Sequence, residues 1–323
     1  MKSSPGKATG TFKMLATILD IQRMSTEDGP GLRTTVFFKG CSLACQWCHN
    51  PESIKFGPQI QWQKHRCIGC RTCTSLCPQQ ALEFSPEGLK ILREKCIACK
   101  SCVEDCPAGA IECKGEEMDT RRLLEILLRD KEYFGQEGGV TLSGGEAILQ
   151  PAAVELLQRL QESGIITALD TAGHVATDTL LAALPYCNLL LYDVKIMDRG
   201  EHEKFTGQGN ELVLKNLKAV AQYTRNHPLR LWIRTPIIPG ATDTIENLTA
   251  IGEFLREIDG IERHELCAFN NLCRDKYRRL DLNWQFAEAE LIPTAHMQAL
   301  WQACKEASGL QETYFTGALR REE

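Results

Sequence analysis

Sixteen cysteines in 323 residues, eleven of them between Cys41 and Cys106, constrain this chain more than any other feature. A secreted disulfide scaffold of such density is short and lacks long helical stretches, and here regular patterns continue to the C-terminus. In a reducing compartment, cysteines at short spacings point to metal. The chain is therefore expected to be cytoplasmic and metal-loaded. The cysteines form two kinds of group. Cys41, Cys45 and Cys48 follow a C-x3-C-x2-C spacing. Cys67, Cys70, Cys73 and Cys77-Pro78 follow C-x2-C-x2-C-x3-C-P, and Cys96, Cys99, Cys102 and Cys106-Pro107 repeat that spacing at an offset of 29 residues.

The two copies match the spacing of bacterial two-cluster ferredoxins, in which the fourth cysteine of each copy ligates the other cluster. This assigns Cys67, Cys70, Cys73 and Cys106 to one 4Fe–4S cluster, and Cys96, Cys99, Cys102 and Cys77 to a second. A pair of zinc sites is the alternative, and the x3-Cys-Pro endings argue against it. The surrounding stretch, residues 53–115, has few large apolar residues, so metal rather than a core would hold it together. It is expected to be a ferredoxin-like double-cluster insert within a larger domain formed by residues 15–52 and 116–323. Residues 1–14 are expected to be a flexible arm. Met1 to Phe12 is polar and lacks the apolar core of a signal peptide.

Outside the insert the pattern alternates. Strand-like runs occur at 34–38, 140–142, 165–169, 189–194, 231–235 and 264–268. Helical periodicity occurs at 119–133, 152–163, 178–184, 212–224, 245–258 and 295–307. Strands alternating with helices imply a parallel sheet with crossover helices, and six units fit a partial (β/α)6 barrel. An open doubly wound sheet is the alternative. In both, a site forms at the carboxyl ends of the strands.

Three thiolates on one short loop, Cys41, Cys45 and Cys48, hold three corners of a cubane and leave the fourth iron open to a substrate ligand. A zinc site borrowing a distant ligand is the competing reading. Placed after the first strand of an α/β domain, this spacing resembles the radical S-adenosylmethionine (SAM) signature. Asp28-Gly-Pro-Gly-Leu-Arg33 before it and Cys48-His49-Asn50-Pro51-Glu52 at its end are similar to the activating enzymes of glycyl radical enzymes, in their longer class with a two-cluster insert. The resemblance runs from about residue 16 to the end. It implies three 4Fe–4S clusters, with SAM bound at the open iron. Reductive cleavage of SAM then yields a 5′-deoxyadenosyl radical that takes a hydrogen atom from a glycine of a partner enzyme.

The resemblance also implies a SAM pocket. Ser143-Gly144-Gly145-Glu146 matches the segment that contacts the SAM amino group, with Glu146 as a charge-assisted acceptor. Ala147 stands where the family usually has proline. Asp170-Thr171 and Asp193-Val194-Lys195 match motifs that bind a monovalent cation beside the SAM carboxylate. Two strand-end aspartates capping helices would look the same. His202 and Arg234 match family positions, and Phe269–Tyr277 matches the segment lining the end where the glycyl loop enters. Trp47 suits either packing over an adenine or plain core packing, and His49 is equally open. Cys113, Cys187, Cys267, Cys273 and Cys304 receive no role, since a free cysteine is often a small buried hydrophobe.

With 37 basic against 42 acidic residues, the chain gives no electrostatic reason to bind nucleic acid or membrane. The expected partners are a glycyl radical enzyme, with choline trimethylamine-lyase slightly ahead of a glycerol or diol dehydratase, and a flavodoxin or ferredoxin as electron donor. The protein itself is expected to be a monomer. Two other functions share some of these ligands. One is a radical SAM maturase or small-molecule enzyme with auxiliary clusters; the other is a non-catalytic electron carrier.

Overall fold

The computed structural model describes residues 13–321; most of the expected arm lies outside them. Thirteen strands appear in chain order: β1 (Leu15–Ser25), β2 (Arg33–Phe38), β3 (Gln59–Trp62), β4 (Leu82–Ser85), β5 (Gly88–Ile91), β6 (Ile111–Lys114), β7 (Glu116–Asp119), β8 (Gly139–Gly144), β9 (Thr167–Thr171), β10 (Leu189–Asp193), β11 (Arg230–Ile237), β12 (Ile261–Ala268) and β13 (Thr313–Thr316). The helices are α1 (Thr72–Leu76), α2 (Ser101–Glu104), α3 (Thr120–Leu128), α4 (Pro151–Glu162), α5 (Thr177–Ala183), α6 (Arg199–Thr206), α7 (Glu211–Thr224), α8 (Ile245–Arg256), α9 (Arg274–Arg279) and α10 (Thr294–Ser308).

Nine strands form one sheet in the order β13-β12-β11-β10-β9-β8-β2-β1-β7. From β2 to β13 every neighbouring pair is parallel. At the other edge, β1 runs antiparallel to β2 and to β7. The sheet thus has three more strands than the six read from the sequence, and the reasons are local. In β1 the in–out alternation is broken by two register shifts, one between Ile18 and Asp20 and one between Gln22 and Ser25, so no clean period of two survives. Glu116–Asp119 is an edge strand with polar residues at three of its four positions, and Thr313–Thr316 is too short to show a period. The strand read at 165–169 lies two residues later, at Thr167–Thr171.

The helices cover one face of this sheet. Leu142, Leu169, Leu190 and Ile233 project into a continuous buried core with Leu123, Leu156, Leu217, Leu248 and Leu300. The other face carries only a small apolar cluster, Ala168, Leu189, Leu191 and Trp232, which leaves room at the carboxyl ends of the strands. The Asp28–Arg33 motif braces that sheet from the loop before β2. Arg33 is fully buried; its Nε donates to Thr141 Oγ1 (2.6 Å) and its Nη2 to Val140 O (3.0 Å), while Thr141 Oγ1 donates to Asp28 O (2.7 Å).

The cysteine-rich stretch leaves the sheet after β2 and returns before β8. It contains two small sheets, β3–β6 and β4–β5, and the short helices α1 and α2. The repeat is visible in the backbone. Arg71 (φ 60°) and Lys100 (φ 70°), one repeat apart, both enter their helices from a left-handed conformation. Its buried apolar cluster is small: Ile60, Leu82, Leu89, Ile91, Cys102 and Ile111. In the β3–β6 ladder, Gln59 faces Lys114, Ile60 faces Cys113 and Trp62 faces Ile111. The two ends of the stretch meet: a Cβ on Gly115 would lie 3.3 Å from Pro58 Cα and 2.6 Å from Lys39 Cδ, and the backbone there has φ +97°, so the return path favours glycine.

Candidate functional site

A cavity of about 460 Å³ opens at the carboxyl ends of the parallel strands, a size typical of small-ligand sites. Side chains reach it from the end of each strand or the loop beyond. The loop after β2 supplies Cys41, Cys45, Trp47, Cys48 and His49. The end of β8 supplies Ser143, Gly144 and Gly145, and β9 supplies Asp170 and Thr171. Asp193 ends β10 and Lys195 lies just beyond it, while Arg234 comes from β11 and Cys267 from β12. Gly144 has φ +112°, and a Cβ there would collide with the Phe38 backbone, so a side chain would force β8 away from β2.

The three thiols of the first group are free and half-buried by surface exposure. Burial, with Glu146 nearby, pushes the Cys41 thiol up to about 12. Burial likewise raises Cys45 and Cys48, the latter helped by Cys45. Such thiols stay protonated unless a metal takes the proton's place. Among the described residues no three His, Cys, Asp or Glu side chains converge on a single ion.

The charged groups of the cavity compensate one another. Lys195 Nζ lies 2.5 Å from Asp193 Oδ2. Burial alone would lower this lysine's pKa, but the Asp193 carboxylate outweighs burial and holds it above the usual value. Ser143 Oγ donates to Asp170 Oδ2 (2.7 Å), and Arg234 Nη1 stands 3.8 Å from Asp170 Oδ1. Burial pushes Asp170 up to about 6 against the pull of Arg234.

Two residues sit differently from expectation. Glu146 is 1% exposed and does not line the cavity. Its carboxylate accepts from Thr171 Oγ1 (2.7 Å) and Ala172 N (3.0 Å), and burial pushes it up to about 7. It holds the β9 turn in place, with both oxygens already engaged. His202 does not line the cavity either. Its ring is buried on α6, with Nδ1 2.7 Å from Gln208 O and 3.0 Å from Thr206 Oγ1.

Trp47 lines the cavity and also packs. Its ring lies 6.0 Å from Phe205 and 6.4 Å from Phe286 in a cluster with Phe269, Tyr277 and Trp284. This aromatic cluster comes largely from the stretch after β12, which clamps the cysteine loop. Tyr277 Oη donates to Cys48 O (2.8 Å), and Lys276 Nζ donates to Asn50 Oδ1 (2.6 Å) and pairs with Glu52 (3.1 Å). Phe269 and Asn270 line the cavity, Phe269 as a buried wall. Cys267, Thr316 and Gly317 line the cavity too, and sequence reasoning left them out. Cys267 sits in no motif, and the other two lie at the end of a strand too short to be read.

The eight cysteines of the repeat gather in two places. Cys67, Cys70, Cys73 and Cys106 surround one apolar hollow with Trp62 and Ile111. Cys77, Cys96, Cys99 and Cys102 surround another with Ile60.

Comparison with known proteins adds four findings. The profile of the Radical SAM superfamily matches residues 35–250. The chain is 38% identical to the indoleacetate decarboxylase activating enzyme of Tractidigestivibacter scatoligenes, over 89% of this chain and 94% of that one. It is 36% identical to the choline trimethylamine-lyase activating enzyme of Oleidesulfovibrio alaskensis, over 84% and 88%. Among solved structures, Streptococcus suis SuiB bound to the precursor peptide SuiA aligns with a TM-score of 0.50 at 12% identity, over 86% of this chain and 46% of that chain, a likeness of fold.

Proposed function

The chain belongs to the radical SAM superfamily and, within it, to the activating enzymes of glycyl radical enzymes, and from that premise we propose how its residues divide the work. The enzyme uses SAM and a 4Fe–4S cluster to act on a protein partner. Cys41, Cys45 and Cys48 hold that cluster and leave one iron open for SAM. When bound, cluster and SAM together supply a carbon-centred radical able to take a hydrogen atom from glycine. The observation that carries this reading is the convergence of three half-buried thiols, two paired cations and a glycine-edged strand end on one cavity.

Within it, the backbone edge at Gly144 and Gly145 lets a ligand approach closely, and Lys195 and Arg234 face a carboxylate. Trp47, backed by Phe205 and Phe286, offers an apolar wall for an adenine and keeps water out. Asp170, Thr171 and Asp193, on neighbouring strands, are oxygen donors for a monovalent cation. Glu146 acts one step back by fixing Thr171 and Ala172. Phe269 and Asn270 line the cavity that receives the partner's glycyl loop. No residue needs to act as a general base, since a hydrogen atom rather than a proton leaves the glycine.

Residues 53–115 form a ferredoxin-like insert carrying two further 4Fe–4S clusters, one on Cys67, Cys70, Cys73 and Cys106, the other on Cys77, Cys96, Cys99 and Cys102. The two four-cysteine hollows and the small size of the buried apolar cluster support this. A flavodoxin or ferredoxin supplies the electron, and the activase works as a monomer. Identities of 38% and 36% to relatives named for different partners do not single out choline lyase.

Anaerobic reconstitution tests the scheme. About twelve irons per chain and formation of 5′-deoxyadenosine from SAM under reduction are expected. Cys45→Ala should abolish cleavage and lose about four irons while keeping the other two clusters. About eight irons in the unsubstituted protein, with no deoxyadenosine formed even with candidate partners present, would leave an electron carrier instead.

A further inference from the structure

Lys39 belongs to none of the cysteine motifs, yet three passes of the chain close on it. It comes directly after β2 and is 1% exposed. Its Nζ donates to Glu52 O, just beyond the first cysteine loop (2.5 Å), and to Gln59 Oε1 on β3 (2.7 Å). The returning chain presses on its stem at Gly115. Register does the rest. Gln59 is followed by Ile60, which faces Cys113 and lines the hollow of Cys77, Cys96, Cys99 and Cys102. Trp62 and Ile111, further along the same ladder, line the hollow of the other set. The Cys96 set is therefore the inner one, and Lys39 stands between it and the Cys41 loop.

Among the described residues the Lys39 ammonium makes no salt bridge, and the nearby Glu52 carboxylate pairs with Lys276 instead. A buried cation with only neutral acceptors is costly unless an anion lies close by. Burial works against the charged form of Lys39, and the nearby Glu52 carboxylate works for it; the two flanking cysteine sets, the inner one reached through Cys113, would add to that support once their thiolates carried iron.

We infer that Lys39 is a positioning residue for electron entry, whose positive charge between the inner cysteine set and the Cys41 loop favours the reduced form of the iron–sulfur group on that loop. The inference rests on the assignment of Cys41, Cys45 and Cys48 to a 4Fe–4S cluster. One-electron reduction adds a negative charge to that group, and a buried cation nearby stabilises the added charge.

The test uses the reconstituted full chain, poised with dithionite and mediators and read by EPR on the signal that changes when SAM is added. Lys39→Gln removes the charge but still donates to the same acceptors. At a fixed potential its ratio of reduced to oxidised cluster should fall about tenfold with the full iron complement retained, the effect of one charge about 10 Å away at an effective dielectric near 20. Lys39→Arg should stay near the unsubstituted value. An unchanged ratio in Lys39→Gln overturns the inference. So does equal loss of iron in both variants, which would make Lys39 a structural tie only. If the unsubstituted protein shows no SAM-responsive signal, the cluster assignment itself fails and the inference goes with it; that case is recognised before any variant is made.

Discussion

Leu142 on β8 and Ile91 on β5 are both buried aliphatic residues, but they sit in different kinds of core. Leu142 belongs to a cluster that runs beneath the helices flanking the large sheet. Ile91 shares its cluster with five other buried residues, one of them Cys102. The large sheet has enough apolar side chains to fold by burial alone. The cysteine-rich stretch, with helices of five and four residues, does not, because segments this small bury too little surface to offset chain entropy. In one region the cysteines sit on a fold that burial can hold; in the other, on the proposed assignment, the iron they bind would hold the fold.

The sharpest way to break that contrast is to remove iron. In iron-free protein, limited proteolysis should cut rapidly within residues 53–115 while the sheet and its helices resist; equal resistance of both regions would refute it. Next in size is Leu142→Ala, which should lower the stability of the sheet domain by about 2–5 kcal/mol in denaturant melts while iron per folded chain stays constant. Ile91→Ala should leave that transition alone and speed iron release to a chelator.

A smaller effect separates the two regions by pH. Glu146 has its carboxyl raised from 4.5 to about 7 in the folded state. Between those values the folded chain binds more protons than the unfolded one, so stability of the iron-free sheet domain should fall as pH rises through that window and level off above it. Asp170, raised from 3.8 to about 6, acts in the same sense lower down. Glu146→Gln should flatten the upper part of the slope, as read from melts at pH 5 and pH 7.5. The smallest effect is Tyr277→Phe, which removes the hydrogen bond to Cys48 O and should cost about 1 kcal/mol, seen as a modestly faster loss of the SAM-responsive cluster signal with the other clusters unaffected.

The contrast also explains how much could be read in advance. Cysteine spacing is a covalent pattern, so the two copies and the C-x3-C-x2-C loop are legible without a structure. The strand-end motifs are legible for a similar reason: Asp170 and Asp193 each close an apolar run, and a parallel sheet brings such ends together. The features that escape are non-local. Lys39 comes after Phe38 as an ordinary strand terminus, and nothing nearby says that Glu52, Gln59 and Gly115 will enclose it. The tie from Tyr277 to Cys48 spans 229 positions. Glu146 stands beside the cavity glycines in sequence, but the turn after Gly145 directs it toward Thr171 instead.

Pro58 and Gly115 stand side by side where the cysteine-rich stretch departs and returns. Neighbouring attachment points make a segment detachable in evolution, because a gene can gain or lose it in one event without re-routing the surrounding strands. Joining residue 58 to residue 115 would splice the chain across a gap it already nearly closes. The stretch is attached as a cassette, and its removal would leave the order of the parallel strands that carry the cavity unchanged.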